Sequence, residues 1–107
     1  MAVKFEFHKR LYVSESMEDK KLDKIKRKLR SKPLLANVHL IVPAGNPKDQ
    51  LDILDARQFA QSYYAKKTFL VVGIADSQGE ALHLVERMVQ DCLRERGDCN
   101  LREYLEC

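Results

Sequence analysis

The chain has 107 residues, 45% of them hydrophobic and 33% charged, which favours one folded domain over residues 1–107 and excludes a disordered chain. No stretch approaches the ~18 consecutive apolar residues of a membrane span, and the first residues do not form a signal peptide. We therefore expect a cytoplasmic, bacterial protein that binds no membrane. The net charge of +3 is unevenly distributed. Residues 1–33 carry 11 basic and 5 acidic side chains, whereas residues 34–107 carry 8 basic and 11 acidic ones.

The N-terminal third predicts a strand and then a basic helix. Val3–His8 alternates apolar and polar residues, a period of two that is typical of a strand with one exposed face. Leu11–Val13 extends this strand after a break at Lys9 and Arg10. Ser16 is placed to cap a helix over residues 17–32, which Pro33 ends because the residue before a proline avoids helical geometry. The apolar stripe of this helix is narrow and consists of Leu22, Ile25 and Leu29.

The basic helix is the main clue to a partner. Eight of the thirteen residues from Lys20 to Lys32 are Lys or Arg. A charge run is usually a solvated helix face, but here the density exceeds what solvation requires, since neighbouring cations repel. We expect a binding face for nucleic acid, another polyanion or an acidic protein, formed by Lys20, Lys21, Lys24, Arg27, Lys28 and Arg30. No aromatic residue is interleaved with the cations, so nucleic-acid binding would not depend on base sequence.

The middle of the chain predicts a strand and a second helix. Asn37–Val42 is the strand. Asn46 as the cap and Pro47 at the first helical position start a helix that continues to about Tyr64. An imperfect apolar pattern predicts a bend near Asp55. Three aspartates recur every three residues and are interpreted as a solvated acidic helix face: Asp49, Asp52 and Asp55.

The last part of the chain predicts a central strand and a long helix. Thr68–Ala75 is apolar on both faces, which places it in the middle of the sheet. A helix runs from Ser77 to about Arg96, with Gly97 as its C-terminal cap. Asn100 then starts a short helical turn that packs back on the core through Leu101, Tyr104 and Leu105.

The β-α-β-α-β-α order predicts an α/β domain with a three-stranded, mainly parallel sheet and a short C-terminal helical turn. An edge strand, either Val3–His8 or Asn37–Val42, would leave backbone groups unpaired, and this favours a homodimer. The predicted core consists of Phe5, Phe7, Leu40, Val42, Phe59, Leu70, Val72, Ile74, Leu82, Val85, Met88, Val89 and Leu93.

Ser77 has two interpretations. Ala75 to Gly79 reads A-x-S-x-G, close to the G-x-S-x-G turn that exposes a nucleophilic serine. The only histidine after it, His83, lies on the outward face of the same helix and cannot act as its base. Ser77 and Glu80 also form an S-x-x-E capping box. We therefore interpret Ser77 as a helix cap and expect no catalytic residue.

Ligands of open α/β sheets bind at the carboxyl ends of strands, so the expected pocket rim is Gly45, Asn46, Asp76 and Ser77. No glycine-rich phosphate motif is present, and no cofactor is expected. The histidines are dispersed and the cysteines include no C-x-x-C pair, so neither a metal nor a disulfide is expected. The sequence favours a non-catalytic binding or protein-interaction module. Polyanion binding through helix 17–32 is one alternative, and a small enzyme with its site at the ends of strands 2 and 3 is another.

Overall fold

A computed structural model of the chain describes residues 4–31, 36–45, 49–60 and 68–106. Strands and helices form most of that length, as the scarcity of Gly and Pro favours. The strands are β1 (Lys4–Val13), β2 (His39–Pro43), β3 (Leu51–Asp55) and β4 (Thr68–Ala75). The helices are α1 (Asp19–Ser31), α2 (Gln78–Arg96) and the short α3 (Leu101–Tyr104), and a 3₁₀ helix covers Ala56–Ala60.

The sheet is mixed, with the strand order β1-β4-β2-β3. β1 runs parallel to β4, whereas β2 runs antiparallel to both β4 and β3. The prediction of an α/β fold with Thr68–Ala75 in the interior of the sheet is confirmed. The prediction of three mainly parallel strands is wrong, because a fourth strand follows β2 in an antiparallel hairpin.

That fourth strand replaces the first part of the helix predicted from Pro47 to Tyr64. Residues 51–55 pair with β2, and the 3₁₀ helix follows at once. Leu51 and Leu54 are three residues apart, which imitates a helical stripe, but pairing with β2 overrides that local pattern. The acidic helix face is therefore also wrong, since Asp52 and Asp55 lie on β3. The helix start at residues 46 and 47 and its end at residue 64 lie outside the described residues.

Helices cover both faces of the sheet, so the molecule has three layers. α1 packs on one face in a core that includes Phe5, Ile25, Leu29, Leu40, Val42, Val71 and Ile74. α2 and α3 pack on the other face in a second core that includes Ile41, Val72, Ala81, Leu84, Met88, Cys92, Leu101 and Leu105. Gly73 permits close approach at this second core, because a Cβ there would lie 2.7 Å from Ile41 Cδ1 and 3.3 Å from Ile41 Cβ.

Most of the predicted core is buried or half-buried. Leu82 and Leu93 are exceptions, with 53% and 46% of their surface exposed. The prediction fails there because the apolar arc of α2 is wider than the part of the helix that the sheet and α3 cover. The side chain of Phe59 lies outside the described part of the structure. The others are buried (Phe5, Leu40, Val42, Val72, Ile74, Met88) or half-buried (Phe7, Leu70, Val85, Val89).

β1 lies at one edge of the sheet and is interrupted, as the break at Lys9 and Arg10 predicts. Its pairing with β4 shifts between Phe7 and Tyr12, so that four residues of β1 face one residue of β4. The C-terminal segment covers this interruption, with His8 Nε2 lying 2.6 Å from the Leu105 carbonyl oxygen. The other predicted edge, Asn37–Val42, is wrong, because β2 lies between β4 and β3.

Candidate polyanion interface

The basic helix forms where the sequence predicts it, and its narrow apolar stripe attaches it to the sheet. Ile25 and Leu29 are buried, and Leu22 packs beside them. Three apolar residues at spacings of three and four cover one side of a helix only. The rest of α1 is therefore left to solvent and to polar contacts.

Four of the six predicted cations form a continuous exposed surface, which we call the cationic face: Lys20, Lys24, Arg27 and Lys28. At 3.6 residues per turn these positions fall within an arc of about 100° around the helix axis. None of the four side chains forms an ion pair or hydrogen bond with another described residue. Their charges are therefore available to a partner.

Lys21, another of the predicted cations, forms an ion pair within the protein. Its Nζ lies 3.1 Å from Asp76 Oδ1, at the end of β4. The Ser16 hydroxyl donates a hydrogen bond to the other oxygen of the same carboxylate, and the Asp76 amide donates to Ser14 Oγ at 3.2 Å. Ser16 therefore does not cap α1, whose first bond joins the Leu22 amide to the Glu18 carbonyl.

These contacts form a polar link between the start of α1 and the sheet. The Ser16 hydrogen bond, followed by the Lys21 ammonium, lowers the pKa of the Asp76 carboxyl despite its partial burial. Asp76 is therefore ionised at neutral pH. The link holds the N-terminal turn of α1 in place, and the apolar stripe holds the rest.

Arg30, the sixth predicted cation, lies beside an aromatic ring. Its guanidinium carbon is 5.4 Å from the centroid of Phe7, and Lys26 Nζ is 4.9 Å from the same centroid. Such cation–π contacts attach both side chains to β1. Arg30 thus belongs to the flank of α1 that touches the sheet, while the cationic face points away from Phe7.

A shallow groove of about 520 Å³ runs between α1 and residues 36–38. Lys24 and Lys28 of the cationic face border it, together with Lys21 and the Asn37 side chain. Asp76 lies at one end, where its negative charge repels an anion. The groove therefore favours an anionic group at the end that is formed by Lys24 and Lys28.

The expected pocket rim is divided between opposite ends of the sheet. Asp76 and Ser77 follow the end of β4, where His39 at the start of β2 pairs with Ala75. Gly45 follows the end of β2 and lies at the other end of the sheet, because β2 runs antiparallel to β4. Asn46 lies outside the described residues.

Ser77 caps α2, as predicted. Its Oγ accepts a hydrogen bond from the Glu80 amide at 3.2 Å, and its backbone is extended. Glu80 makes no reciprocal bond to the described part of the chain, so only one half of the capping box forms. At the other end Gly97, with φ of 79°, donates to the Leu93 carbonyl.

No group of three or more histidine, cysteine or carboxylate side chains able to hold a metal occurs within residues 4–31, 36–45, 49–60 and 68–106. Cys92 is buried, and burial raises the pKa of its thiol. Cys99 is exposed, and Cys107 lies outside the described part. In that described part no helix has the length and apolar character needed to cross a membrane.

One polar cluster in the structure was not indicated by any pattern in the sequence. The Tyr12 hydroxyl donates to Asp91 Oδ2 at 2.6 Å and lies 3.2 Å from the Tyr104 hydroxyl. Arg94 Nη2 binds the other oxygen of Asp91 at 2.7 Å, and the Arg87 guanidinium carbon lies 5.7 Å from the centroid of the Tyr12 ring. Local patterns could not predict this set, because its members lie on β1, α2 and α3, 79 and 92 residues apart for the two Tyr12 contacts.

The electrostatics of this cluster favour a structural role. Burial, followed by the hydrogen bond to Asp91, raises the pKa of Tyr12. The phenol therefore keeps its proton at neutral pH and remains a donor. The cluster joins the interrupted strand β1 to α2 and α3.

No protein-family model, curated protein or solved structure matches this chain. The geometry and charge of the described residues are therefore the basis for inferring a function.

Proposed function

We propose that this protein is a non-catalytic binding module and that the cationic face of α1 binds a polyanion, nucleic acid in particular. The observation that carries the proposal is the set of four exposed cations, Lys20, Lys24, Arg27 and Lys28, which lack partners in the described structure. A helix with a narrow apolar stripe needs polar surroundings. It does not need four cations on one side, since these repel one another in the absence of an anion.

The physics of such binding is electrostatic. A nucleic acid that contacts the cationic face releases counterions, so affinity falls as salt increases. Four phosphate contacts on duplex DNA predict a slope of about −3.6 for the logarithm of affinity against the logarithm of salt concentration. The cationic face contains no aromatic side chain for stacking, and three of its four side chains are lysines, which bind phosphates as point charges. We therefore expect similar affinity for different base sequences.

The residues of the enzyme alternative have other tasks in this structure. Asp76 holds Ser16 and Lys21, and Ser77 caps α2. Gly45 lies at the far end of the sheet. An acidic protein remains a competing partner for the cationic face, because carboxylates pair with lysine and arginine as phosphates do.

The test measures binding of the purified chain to three fluorescent probes: duplex DNA, single-stranded RNA and polyglutamate. Fluorescence anisotropy reports binding at a series of salt concentrations. We expect both nucleic acids to bind near ~50 mM salt and to be released as salt increases. Lys24→Glu with Arg27→Glu should abolish binding. The matched control is Lys4→Glu with Lys9→Glu, two exposed positions on β1, which changes the net charge by the same amount and should retain most of the affinity.

Two results would overturn the proposal. Binding of polyglutamate without binding of either nucleic acid would identify an acidic protein as the partner. Equal losses in the two double variants would mean that net charge, and not the cationic face, controls binding.

A further inference from the structure

A second surface lies on the opposite side of the sheet from α1. Leu51 and Ile53 of β3 form one wall of a groove of about 410 Å³, and Leu82, Val85 and Val89 of α2 form the other. Leu82 is 53% exposed although it belongs to a mostly apolar wall. The three α2 residues follow helical spacing, so they present one continuous apolar strip beside β3. We call this surface the β3 groove.

The strand that borders the groove is the last described strand on its side of the sheet. Within the described part of the chain, β3 pairs with β2 alone. The Ala56 amide donates to the Val38 carbonyl at 3.0 Å, and the Ala44 amide donates to the Gln50 carbonyl at 3.1 Å. These two bonds lie at either end of the β2–β3 ladder and fix its hydrogen-bonded pairs.

Bonded and non-bonded pairs alternate along an antiparallel ladder. The register pairs Leu40 with Leu54 and Val42 with Asp52, and these are therefore the bonded pairs. The peptide groups of Leu51 and Ile53 consequently point away from β2, toward the outer side of β3. The same two residues direct their side chains into the β3 groove, so backbone donors, backbone acceptors and apolar surface lie together.

The charge at this edge argues against a second copy of the chain. Asp49 lies at the end of the groove, and Asp52 lies on the face of β3 opposite to it. Neither carboxylate forms an ion pair with a described residue, whereas Asp55 is paired with Arg57. Pairing two β3 strands about Asp52 would place two carboxylates side by side on the face opposite to the groove, which is unfavourable. A strand with basic side chains meets no such repulsion.

We propose that β3 and its groove bind an extended segment of another protein in which apolar and basic residues alternate. The segment adds a fifth strand beside β3 and exchanges hydrogen bonds with the peptide groups of Leu51 and Ile53. Its apolar side chains enter the β3 groove, and its basic side chains lie next to Asp52 on the other face of the sheet. This site is separate from the cationic face of α1 and does not depend on it.

The probe is a fluorescent peptide of alternating lysine and valine, about seven residues long, within the usual length of a strand. A second peptide has the same sequence with N-methylated valines, which keeps the charge but removes the donors that face β3. We expect the unmodified peptide to bind the full chain and the methylated one to bind about tenfold more weakly, since each lost bond weakens binding several-fold.

Two substitutions test the groove. Leu82→Asp places a charge in the apolar wall and should abolish binding. Leu93→Asp is the matched control, because Leu93 is similarly exposed on the same helix but lies outside the groove, and binding should be unchanged. Circular dichroism verifies that both variants are folded.

A charge exchange tests the acidic edge. Asp52→Lys should lose affinity for the lysine–valine peptide and gain affinity for a glutamate–valine peptide.

Equal binding of the methylated and unmodified peptides, or binding that survives Leu82→Asp, would overturn the proposal. So would a dimer in sedimentation equilibrium that Leu82→Asp dissociates, because the occupant would then be a second copy. The Lys24→Glu, Arg27→Glu variant should bind the peptide normally, so failure of this proposal is distinguishable from failure of the first.

Discussion

The two long helices cover opposite faces of one sheet but are attached to it in different ways. α1 buries only Ile25 and Leu29 and is fixed at its start by the polar link to Asp76. α2 buries Ala81, Leu84, Met88 and Cys92 and is capped at both ends. A wide apolar face makes α2 part of the core, whereas a narrow one leaves most of α1 free to carry charge. The surface proposed to bind a polyanion thus lies on the helix that contributes less to packing.

The largest expected effects come from shortening one buried side chain on each helix. Met88→Ala and Leu29→Ala each remove a fully buried side chain and should lower the free energy of unfolding by about 2–5 kcal/mol. Urea denaturation measures the loss. Leu93→Ala, at an exposed site on α2, should change it by less than ~0.5 kcal/mol.

Hydrogen exchange separates the two variants further. Leu29 is one of two buried anchors of α1, so Leu29→Ala should reduce amide protection in α1 more than in α2. Met88→Ala should reduce protection throughout the molecule. Uniform loss in both variants would mean that α1 is as firmly attached as α2.

A smaller effect is expected at the cap of α2. Ser77→Ala removes the acceptor of the Glu80 amide and should lower the free energy of unfolding by about 1 kcal/mol. Ser77→Asp keeps an acceptor and should restore most of the loss. Ser31→Ala is the control on α1, because the Ser31 hydroxyl bonds back to the Arg27 carbonyl and caps nothing. Equal losses for Ser77→Ala and Ser31→Ala would contradict the capping role.

The smallest effect is the acid sensitivity of the polar link. The pKa of the Asp76 carboxyl is lower in the folded protein than its ordinary value of 3.8. Its contribution to stability is therefore complete above about pH 4 and is lost as the pH falls through the lowered value. Amide protection at the start of α1 should decrease in that range before protection in α2 does. Asp76→Asn should remove this difference, and a wild-type chain in which both helices respond together would refute it.

The periodicity of apolar residues correctly predicted the longer strands and α2. It failed for the short segment whose structure depends on pairing with another strand. Three patterns are long enough to indicate one type of element each: the alternation in β1, the apolar run of β4 and the broad apolar stripe of α2. The segment of residues 51–55 is too short to show a clear periodic pattern. Their leucine spacing and the Asn-Pro pair before them both favour a helix, and only the partner strand β2 makes them a strand. The antiparallel direction of β2 was not predicted either, because it also depends on which strands pair.

The candidate interface was predictable in part. Charge density alone indicates that α1 carries a basic surface, and four of its six predicted cations remain exposed without a described partner. The sequence could not show that Lys21 binds Asp76 or that Arg30 lies beside Phe7, because those partners are distant in the chain. The β3 groove was hidden by the incorrect helix over the same residues.

The position of β1 has a consequence for the order in which the sheet assembles. β2 and β3 pair across a short connection, with Pro43 opposite Leu51, and such a hairpin forms quickly. β1 pairs with β4, and its Lys4 lies opposite Thr68, 64 residues later. During synthesis β1 therefore waits until the residues up to β4 have been made, and its pairing carries the loop-closure entropy of the intervening segment. β1 therefore completes the sheet only after β4 has been made, although it precedes the other described strands in the sequence.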